Sequence, residues 1–243
     1  MKKILFSFSL LLFWLAVQAQ EQGSSFQKSI AIKWNPTSLY FGKVALQGEY
    51  NFKKKKSITF DIGIPYNKTI TRNIDNEDKS ITLKTFSVMG GYRMYLGKKT
   101  MTGVYFEPYL KYLKNDASTS FLGGSTVKKL YALTSDYSAV GVGAQLGVQF
   151  MIAKRLTFDF FFLGPEANLT NHRATLQDLS TVGPWSQQDA TDAQKEINDN
   201  LKNIPIVGRK VNVTVNEQNK TVSSDYSGFL PGIRFGLSVG WRF

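Results

Sequence analysis

Strict alternation of apolar and polar side chains is the feature of this sequence that most limits its fold. The last nine residues, FGLSVGWRF, place Phe235, Leu237, Val239, Trp241 and Phe243 at every second position, with Gly, Ser and Arg between them. The same period recurs in seven earlier stretches: KSIAIKWN, KVALQGEYNF, SITFDIGIPY, FSVMGGYRMYL, VYFEPYLKY, SAVGVGAQLGVQF and LTFDFFFLG. A period of two belongs to a β-strand whose two faces meet different surroundings. The sequence therefore predicts an all-β protein built from eight amphipathic strands.

Eight such strands fit two architectures that differ in which face is buried. In a soluble sandwich or lipocalin-type barrel the apolar face points inward. In a transmembrane barrel the apolar face meets lipid and the polar face lines the lumen. The polar face here consists mainly of Gly, Ser, Thr, Ala and Gln with few charges, unlike the charged surface of a solvated sheet. Because small side chains fit inside a narrow barrel, the composition favours an eight-stranded antiparallel transmembrane β-barrel.

The connections between the strands alternate in length. KKKK, GKKTMT and MIAKR join strands two to three, four to five and six to seven. Of the four other connections, three are long, at 67–80, roughly 114–136 and roughly 166–228. Only the first of the four, NPTSLYFG, is short. Short turns at one rim and long loops at the other are typical of outer-membrane barrels. Pro108 lies within the fifth strand on its apolar face, which predicts a bulge or a local break in the strand pairing.

The N-terminus predicts export. Lys2 and Lys3 precede the apolar run ILFSFSLLLFWLAV, and small residues follow as far as Ala19. This order is typical of a secretory signal peptide, and the run is shorter than the about 20 residues of a membrane-spanning helix. We expect a signal peptide at 1–19, a periplasmic segment at 20–27 and a barrel at 28–243, with both termini in the periplasm. The chain carries a net charge of +12. Because export separates a protein from nucleic acid, lipid phosphate is the expected counter-charge.

Several segments resemble those of small bacterial outer-membrane barrels. The terminal VGWRF, with Trp241 and Phe243 on an alternating last strand, looks like the signal that the barrel-assembly machinery recognises. NPTSLYFGKVALQGEYNF, FFLGPEANL and GFLPGIRFGLSVGWRF are similar to parts of eight-stranded OmpA/OmpX-like barrels and, more closely, of Bacteroidetes-type outer-membrane barrels. The resemblance implies assembly by that machinery into outer-membrane lipid, and it implies no particular activity.

Charged residues on the polar face are expected to lie inside the barrel. Four acids oppose five bases in this set, which comprises Lys33, Glu49, Asp61, Arg93, Glu107, Lys111, Asp159, Arg234 and Arg242. Because a buried charge is tolerated only when it is paired, we expect Glu49 or Asp159 to pair with Arg93 or Arg242. Such a network either closes the lumen or forms a path for ions or protons. The small bore of eight strands favours closure.

The longest loop, 166–228, contains two predicted elements. In DATDAQKEINDNLKNIP, apolar residues recur at spacings of three and four, which predicts a short helix with Ala193, Ile197 and Leu201 on its apolar face. KVNVTVNEQNKTV predicts a β-hairpin. The apolar face of the helix either packs over the barrel mouth or docks another outer-membrane or surface protein, and the sequence leaves both alternatives open.

The sequence predicts no catalytic, metal or cofactor site. It has no Cys, hence no thiol nucleophile, disulfide or Cys-ligated metal, and it has a single His. That residue, His172, lies in the predicted last loop, with no serine two residues later and no acid beside it on a strand. We therefore expect a non-enzymatic protein with a structural or protein-interaction role through its extracellular loops. A narrow pore and a lipid-A-modifying enzyme are the alternatives.

Overall fold

Ten strands make up most of the chain. The structure, a computed structural model, describes residues 27–74, 77–123, 129–179, 185–188, 190–192, 194–195 and 210–243. The strands are β1 (Ser29–Asn35), β2 (Lys43–Lys53), β3 (Lys56–Pro65), β4 (Lys68–Ile74), β5 (Glu77–Tyr95), β6 (Gly103–Gly123), β7 (Lys129–Ile152), β8 (Leu156–Asp178), β9 (Val211–Asn216) and β10 (Thr221–Arg242). A 3-10 helix, η1 (Pro36–Phe41), joins β1 to β2. The predicted signal peptide, 1–19, lies outside the described residues.

Eight of the strands close into a ring. Neighbours pair antiparallel in the order β1-β2-β3-β5-β6-β7-β8-β10, and β10 pairs with β1. At this closing seam Ala31 pairs with Arg242 and Trp34 with Val239. The two remaining strands lie outside the ring order, β4 on β5 and β9 on β10. The predicted eight-stranded antiparallel barrel is confirmed.

The two faces of the barrel wall are reversed relative to those of a soluble barrel. Large apolar side chains point away from the lumen and are exposed, as in Leu110 at 64%. The fully buried side chains are mostly polar, and Arg93 is 0% exposed. A surface of this kind is stable against acyl chains, because they shield its apolar side chains from water. The ring is therefore a transmembrane β-barrel. Among the described residues, no helix is long and apolar enough to cross a membrane.

The outward apolar side chains end at one level around the barrel. The last of them on successive ring strands are Trp34, Val44, Ile64, Phe86, Tyr112, Val140, Leu169 and Phe229. On five strands the next outward side chain is polar: Lys84, Lys114, Ser138, Asn171 and Ser227. We call the outward apolar surface between this level and the short turns the apolar band. The change in polarity marks where the wall leaves the membrane.

Five strands continue beyond the apolar band. β5, β6, β7, β8 and β10 have 19 to 24 residues, whereas β1, β2 and β3 have 7, 11 and 10. Together with β4 and β9 these extensions form a sheet of order β4-β5-β6-β7-β8-β10-β9, which we call the outer wall. It consists of 68–74, 77–84, 114–123, 129–138, 171–178, 211–216 and 221–227.

Much of what the sequence assigned to loops is therefore strand. Within 67–80, 114–136 and 166–228 the described residues are mainly paired strands, and the long connection runs only from residue 179 to residue 220. The predicted hairpin is present as β9 and the start of β10. Helical residues occur at 187–188, 190–192 and 194–195. The predicted helix-face residues Ala193, Ile197 and Leu201 lie outside the described residues.

Two irregularities adjust the barrel wall. Between β5 and β6 the pairs Gly91–Tyr109 and Met94–Phe106 form without the two pairs between them, so the ladder breaks locally at Pro108 as predicted. In β8 an extra residue at Phe162 shifts the register against both neighbouring strands. Phe162 and Leu163 consequently both face outward, and Glu166 points into the lumen.

Gly42 fixes the end of η1 against the neighbouring strands. Its φ of 69° is in the left-handed region, and a Cβ at this position would lie 2.5 Å from the carbonyl oxygen of Leu83. The Gly42 carbonyl accepts hydrogen bonds from the backbone N–H groups of Tyr66 at 3.0 Å and Thr85 at 3.1 Å. Only glycine adopts this φ and also leaves room for the Leu83 carbonyl without strain. η1 is thereby held at the junction of β3 and β4.

Arginine substitution tests the position of the apolar band. Val148 lies inside the band and pairs with Val104 and Phe160, whereas Thr134 lies on the same strand in the outer wall and is exposed. We expect Val148→Arg to lower the free energy of unfolding in lipid vesicles by about 2–4 kcal/mol, because a charge near the bilayer centre is costly. Thr134→Arg should change it by less than about 0.5 kcal/mol. Denaturant titration followed by tryptophan fluorescence measures both, and equal losses would contradict the assignment.

Candidate functional site

Five charged side chains fill the lumen at the level nearer the short turns. They are Lys33, Glu49, Arg93, Glu107 and Asp159, each 0–1% exposed. Lys33 Nζ lies 2.5 Å from Glu49 Oε2 and 3.0 Å from Asp159 Oδ2. Arg93 donates from Nη1 to Asp159 Oδ2 at 2.7 Å and from Nε to Glu107 Oε2 at 2.8 Å. We call these five residues the plug layer.

Two tyrosines complete the coordination of the plug-layer acids. Tyr95 donates from its hydroxyl to Glu49 Oε1 at 2.7 Å, and Tyr105 donates to Asp159 Oδ1 at 2.6 Å. The guanidinium of Arg93 also lies over the Tyr105 ring, 3.8 Å from its centroid. Glu49 and Asp159 thus each receive a neutral donor in addition to their cations. Such full coordination is what makes buried charges tolerable.

Two glutamines of β7 link the plug layer to the opposite wall. Lys33 and Arg93 both donate to Gln149 Oε1, at 2.5 and 2.9 Å. Gln145 donates from Nε2 to Glu107 Oε2 at 2.9 Å. The plug layer and its partners therefore come from β1, β2, β5, β6, β7 and β8. Side chains from six of the eight ring strands meet at one level, which supports closure of the lumen.

Glycines on β7 make room for the tyrosines of β6. A Cβ on Gly143 would lie 2.6 Å from the ring of Tyr109, and Gly147 lies against the Tyr105 ring in the same way. The polar face of β7, which alternates Gly and Gln in the sequence, is thus matched to a face of tyrosines and acids. An alanine at Gly143 would displace the ring of Tyr109, and an alanine at Gly147 would displace that of Tyr105.

The nine interior charges expected from the sequence separate into three groups. The plug layer contains five of them. Asp61, Lys111 and Arg234 lie higher in the lumen, towards the outer wall. Arg242 lies near the short turns and is half-buried, with Met151 Sδ at 3.5 Å from its Nη1. The structure thus brings Glu49 and Asp159 to Arg93, and it places Arg242 apart from them.

Above the plug layer the lumen widens into a cavity of about 530 Å³. Lys43, Asp61, Lys111, Glu166 and Arg234 line this cavity. Lys111 pairs with Glu166, and Lys43 Nζ donates to Ser87 Oγ at 2.8 Å. We call this space the upper cavity. Its charged residues and those of the plug layer together comprise equal numbers of acids and bases.

Two cations of the upper cavity lack an acidic partner. Within the part of the chain that the structure describes, neither Lys43 nor Arg234 has a carboxylate oxygen within 4.0 Å. The Arg234 guanidinium instead lies over the rings of Phe161 and Tyr109, 4.7 and 5.5 Å from their centroids. The upper cavity can therefore accept a negative group without first breaking an ion pair.

Sequence reasoning did not single out Lys43 or Glu166 as luminal charges. Lys43 begins the alternating stretch KVALQGEYNF on its polar face, so its position could have been inferred. Glu166 follows the bulge in FFFLG, and uninterrupted alternation would have turned it outward. Four consecutive apolar residues were the only signal that the register changes there.

His172 lies inside the upper part of the barrel and contacts a serine. Its Nε2 is 2.9 Å from Ser135 Oγ, and its ring centroid is 6.2 Å from that of Tyr137. Among the described residues, no carboxylate is within ion-pair distance of the imidazole. A Ser–His pair acts as a nucleophile and base when a third group orients the imidazole, and the described residues supply no acid for that role.

The remaining predicted positions lie at the two ends of the barrel. Trp241 and Phe243 are exposed on the outward face of β10, and the Phe243 N–H donates to the Ile30 carbonyl at 2.8 Å. In the long connection, Gln194 donates from Nε2 to the Val213 carbonyl at 3.0 Å, so the helical residues lie against β9. Within the described ranges, no group of three or more His, Cys, Asp or Glu is arranged to hold a metal ion.

The reversed wall and the plug layer define a small transmembrane β-barrel with a filled lumen. The chain belongs to the family described as "Protein of unknown function (DUF3575)", which matches residues 6–164. Among solved structures, the chain is similar to a major outer membrane protein from Thermus thermophilus, with 11% identity, 89% of this chain and 98% of that chain covered, and a TM-score of 0.39. A similarity of that size does not bear on function. No curated protein matches the chain.

Replacement of Arg93 tests the plug layer. Arg93→Gln leaves Glu49, Glu107 and Asp159 without their shared cation, and we expect a loss of about 3–5 kcal/mol in unfolding free energy. Arg173 provides a matched control, because it forms an ion pair with Asp225 in the outer wall but is 64% exposed. Arg173→Gln should cost about 1 kcal/mol or less. Denaturant titration in lipid vesicles compares them, and similar losses would argue against a buried network.

Proposed function

We propose that the protein is a non-enzymatic barrel of the bacterial outer membrane that acts structurally and presents its outer wall to a protein partner. The observation that carries the proposal is the asymmetry of the barrel. Five strands continue past the apolar band at one end, whereas the other end has short turns at 54–55, 96–102 and 153–155. A barrel that served only as a membrane anchor would not need strands of 19 to 24 residues.

The outer-membrane location is supported by features at both ends of the sequence. The predicted signal peptide at 1–19 directs export, and Trp241 and Phe243 end the last strand as expected of a substrate of the barrel-assembly machinery. Eight ring strands agree in number with OmpA/OmpX-like barrels. With the short turns in the periplasm, both termini are periplasmic and the outer wall is extracellular.

The outer wall has the properties of a rigid platform for a partner. Hydroxyl pairs link its strands, with Thr71 Oγ1 2.8 Å from Ser80 Oγ and Thr175 Oγ1 3.0 Å from Ser223 Oγ. The Arg173–Asp225 ion pair, at 2.6 Å, links β8 to β10 on the same surface. Binding surfaces are commonly built from segments outside the membrane that a rigid scaffold positions. Within the connection 179–220, β9 and the described helical residue Gln194 lie at the edge of this platform.

A narrow pore is the alternative that the plug layer disfavours. Ions crossing the lumen would have to pass the level where Lys33, Arg93 and three acids are fully buried. Separating them would leave charges uncompensated at low dielectric. The plug layer thus supports a closed resting state.

A lipid-A-modifying enzyme is the alternative that the position of His172 disfavours. Its imidazole contacts Ser135 inside the barrel, whereas chemistry on a lipid embedded in the outer leaflet needs the catalytic groups at the lipid-facing surface. The lack of an acid beside His172 among the described residues points the same way. We therefore propose no enzymatic activity.

Planar-bilayer recordings test closure of the lumen. We expect no reproducible conductance from the wild-type barrel, because the plug layer blocks it. The double variant Glu49→Ala/Arg93→Ala removes one acid and one base and should produce discrete openings. Circular dichroism checks that the variant keeps its strand content. Wild-type conductance equal to that of the variant would show that the lumen is a pore.

Cross-linking in intact cells tests the interaction role. We expect a stoichiometric partner that is lost when residues 181–218 are replaced by a short turn, because this removes β9 and its connection but keeps β8 and β10. A matched control, Lys54→Gln/Lys55→Gln, changes the opposite rim and should retain the partner. Recovery of a monomer alone, with the variant still in the outer membrane, would instead indicate a purely structural role.

A further inference from the structure

The ring is closed by strand pairing only near the short turns. β1 ends at Asn35, and its last pair with β10 is Trp34–Val239. On the same edge of β10, β9 pairs only as far as Tyr226. In the described part of the chain, residues 227–238 of β10 therefore have no strand partner on this side. We call this stretch the free edge.

From Phe229 onwards, the free edge lies within the apolar band. Phe229, Ile233 and Phe235 point outward from it, and Phe235 is 67% exposed. Backbone N–H and C=O groups cannot remain unpaired in hydrocarbon, and they are tolerated only where they face protein or a water-filled cavity. η1 covers part of the free edge, because Thr37 Oγ1 lies 2.9 Å from the position that a Cβ on Gly236 would occupy. The rest needs a polar partner from the lumen side.

The upper cavity reaches the free edge. Its lining combines the luminal Lys43 and Arg234 with Phe41, Ile233 and Phe235, and these last three are exposed apolar side chains. The upper cavity therefore extends to the gap between η1 and β10, where the ring lacks strand pairing.

The upper cavity contains two cations that are not part of a closed ion pair. Lys43, Lys111 and Arg234 oppose Asp61 and Glu166, and the Lys111–Glu166 pair is already closed. Lys43 and Arg234 are left with Asp61, which lies beyond 4.0 Å from either cation in the described structure. One carboxylate or phosphate group could contact Lys43 and Arg234 without displacing a paired acid, and a guanidinium is well suited to bind it.

We propose that the upper cavity binds an anionic amphiphile with one acyl chain, which enters from the membrane between η1 and the free edge. Its carboxylate or phosphate group lies near Lys43 and Arg234. Its chain leaves past Phe41 and Phe235 into the apolar band. The polar head also supplies the partner that the free edge needs on the lumen side. This site is independent of the partner surface on the outer wall.

Photo-crosslinking in nanodiscs tests the site. Dodecanoate probes that carry a diazirine near the head or in mid-chain are added to the wild-type barrel, and labelled residues are mapped by mass spectrometry. We expect the head probe to label the segments around Lys43 and Arg234, and the mid-chain probe to label those around Phe41 and Phe235. Labelling spread evenly over outward residues such as Ile58 would overturn the proposal, because it indicates only surface lipid.

Substitutions separate the head contacts from general lipid affinity. Lys43→Gln/Arg234→Gln should reduce specific labelling by about tenfold or more, because two charge-assisted contacts are lost. Arg234→Lys keeps the positive charge and should retain most of the specific labelling. Lys84→Gln/Lys114→Gln is the matched control, since both lysines lie outside the cavity just above the band, and it should have no effect. Equal labelling of all variants would overturn the proposal.

Competition identifies the chemistry that is recognised. Unlabelled dodecanoate and dodecyl phosphate should displace the probe, whereas dodecanol and acetate should not, because binding needs both the anionic group and the chain. Displacement by dodecanol would show that the cations play no part. Displacement by acetate at the same concentration would show a simple anion site reached from water, and either result would overturn the proposal.

Discussion

Backbone hydrogen bonding in a medium without water is the constraint on which the rest of the structure depends. In hydrocarbon the N–H and C=O groups of the wall need hydrogen-bond partners, so the strands pair into a ring. The ring is completed by β1, the shortest of its strands, through four pairs with β10. One further bond strengthens this seam, from the Phe243 N–H to the Ile30 carbonyl at 2.8 Å. On the other edge of β10, the Arg242 N–H bonds to the Arg155 carbonyl at 2.8 Å and extends the pairing with β8. Phe243 is therefore part of the closure itself.

Closing a ring of only eight strands forces polar side chains into a narrow space, and the chain resolves this by arranging charges in two levels. The plug layer has three acids and two bases, and the upper cavity has three bases and two acids. The lower level is densely coordinated, whereas Lys43 and Arg234 in the upper level are not. The two levels balance each other overall, and their opposite excess charges attract across the lumen. The densely packed plug layer thus closes the lumen below the open space of the upper cavity.

The sequence predicted those parts of the fold in which the two faces of a strand meet different surroundings. Within the apolar band, lipid outside and packed polar groups inside impose a period of two, which identified all eight ring strands. In the outer wall no lipid lies against the outward face, so alternation weakens and paired strands look like loops. The contact of Ser135 with His172 depends on the register between β7 and β8, and the inward position of Glu166 depends on one extra residue at Phe162. Neither the Ser135–His172 contact nor the inward position of Glu166 can be predicted from the pattern of one strand alone.

The shortness of β1 and β2 connects the outer wall, the free edge and the upper cavity. Because these two strands end at η1 while β5, β6, β7, β8 and β10 continue, the outer wall is an open sheet with β4 and β9 as its edges rather than a closed tube. Gln194 covers part of the β9 edge by bonding to the Val213 carbonyl, which limits pairing with other chains. Below that opening, Lys43 and Arg234 line the upper cavity next to the gap between η1 and β10. Because an unpaired buried cation is costly, the proposed anionic head would gain a charge partner there while its chain lies against the apolar band.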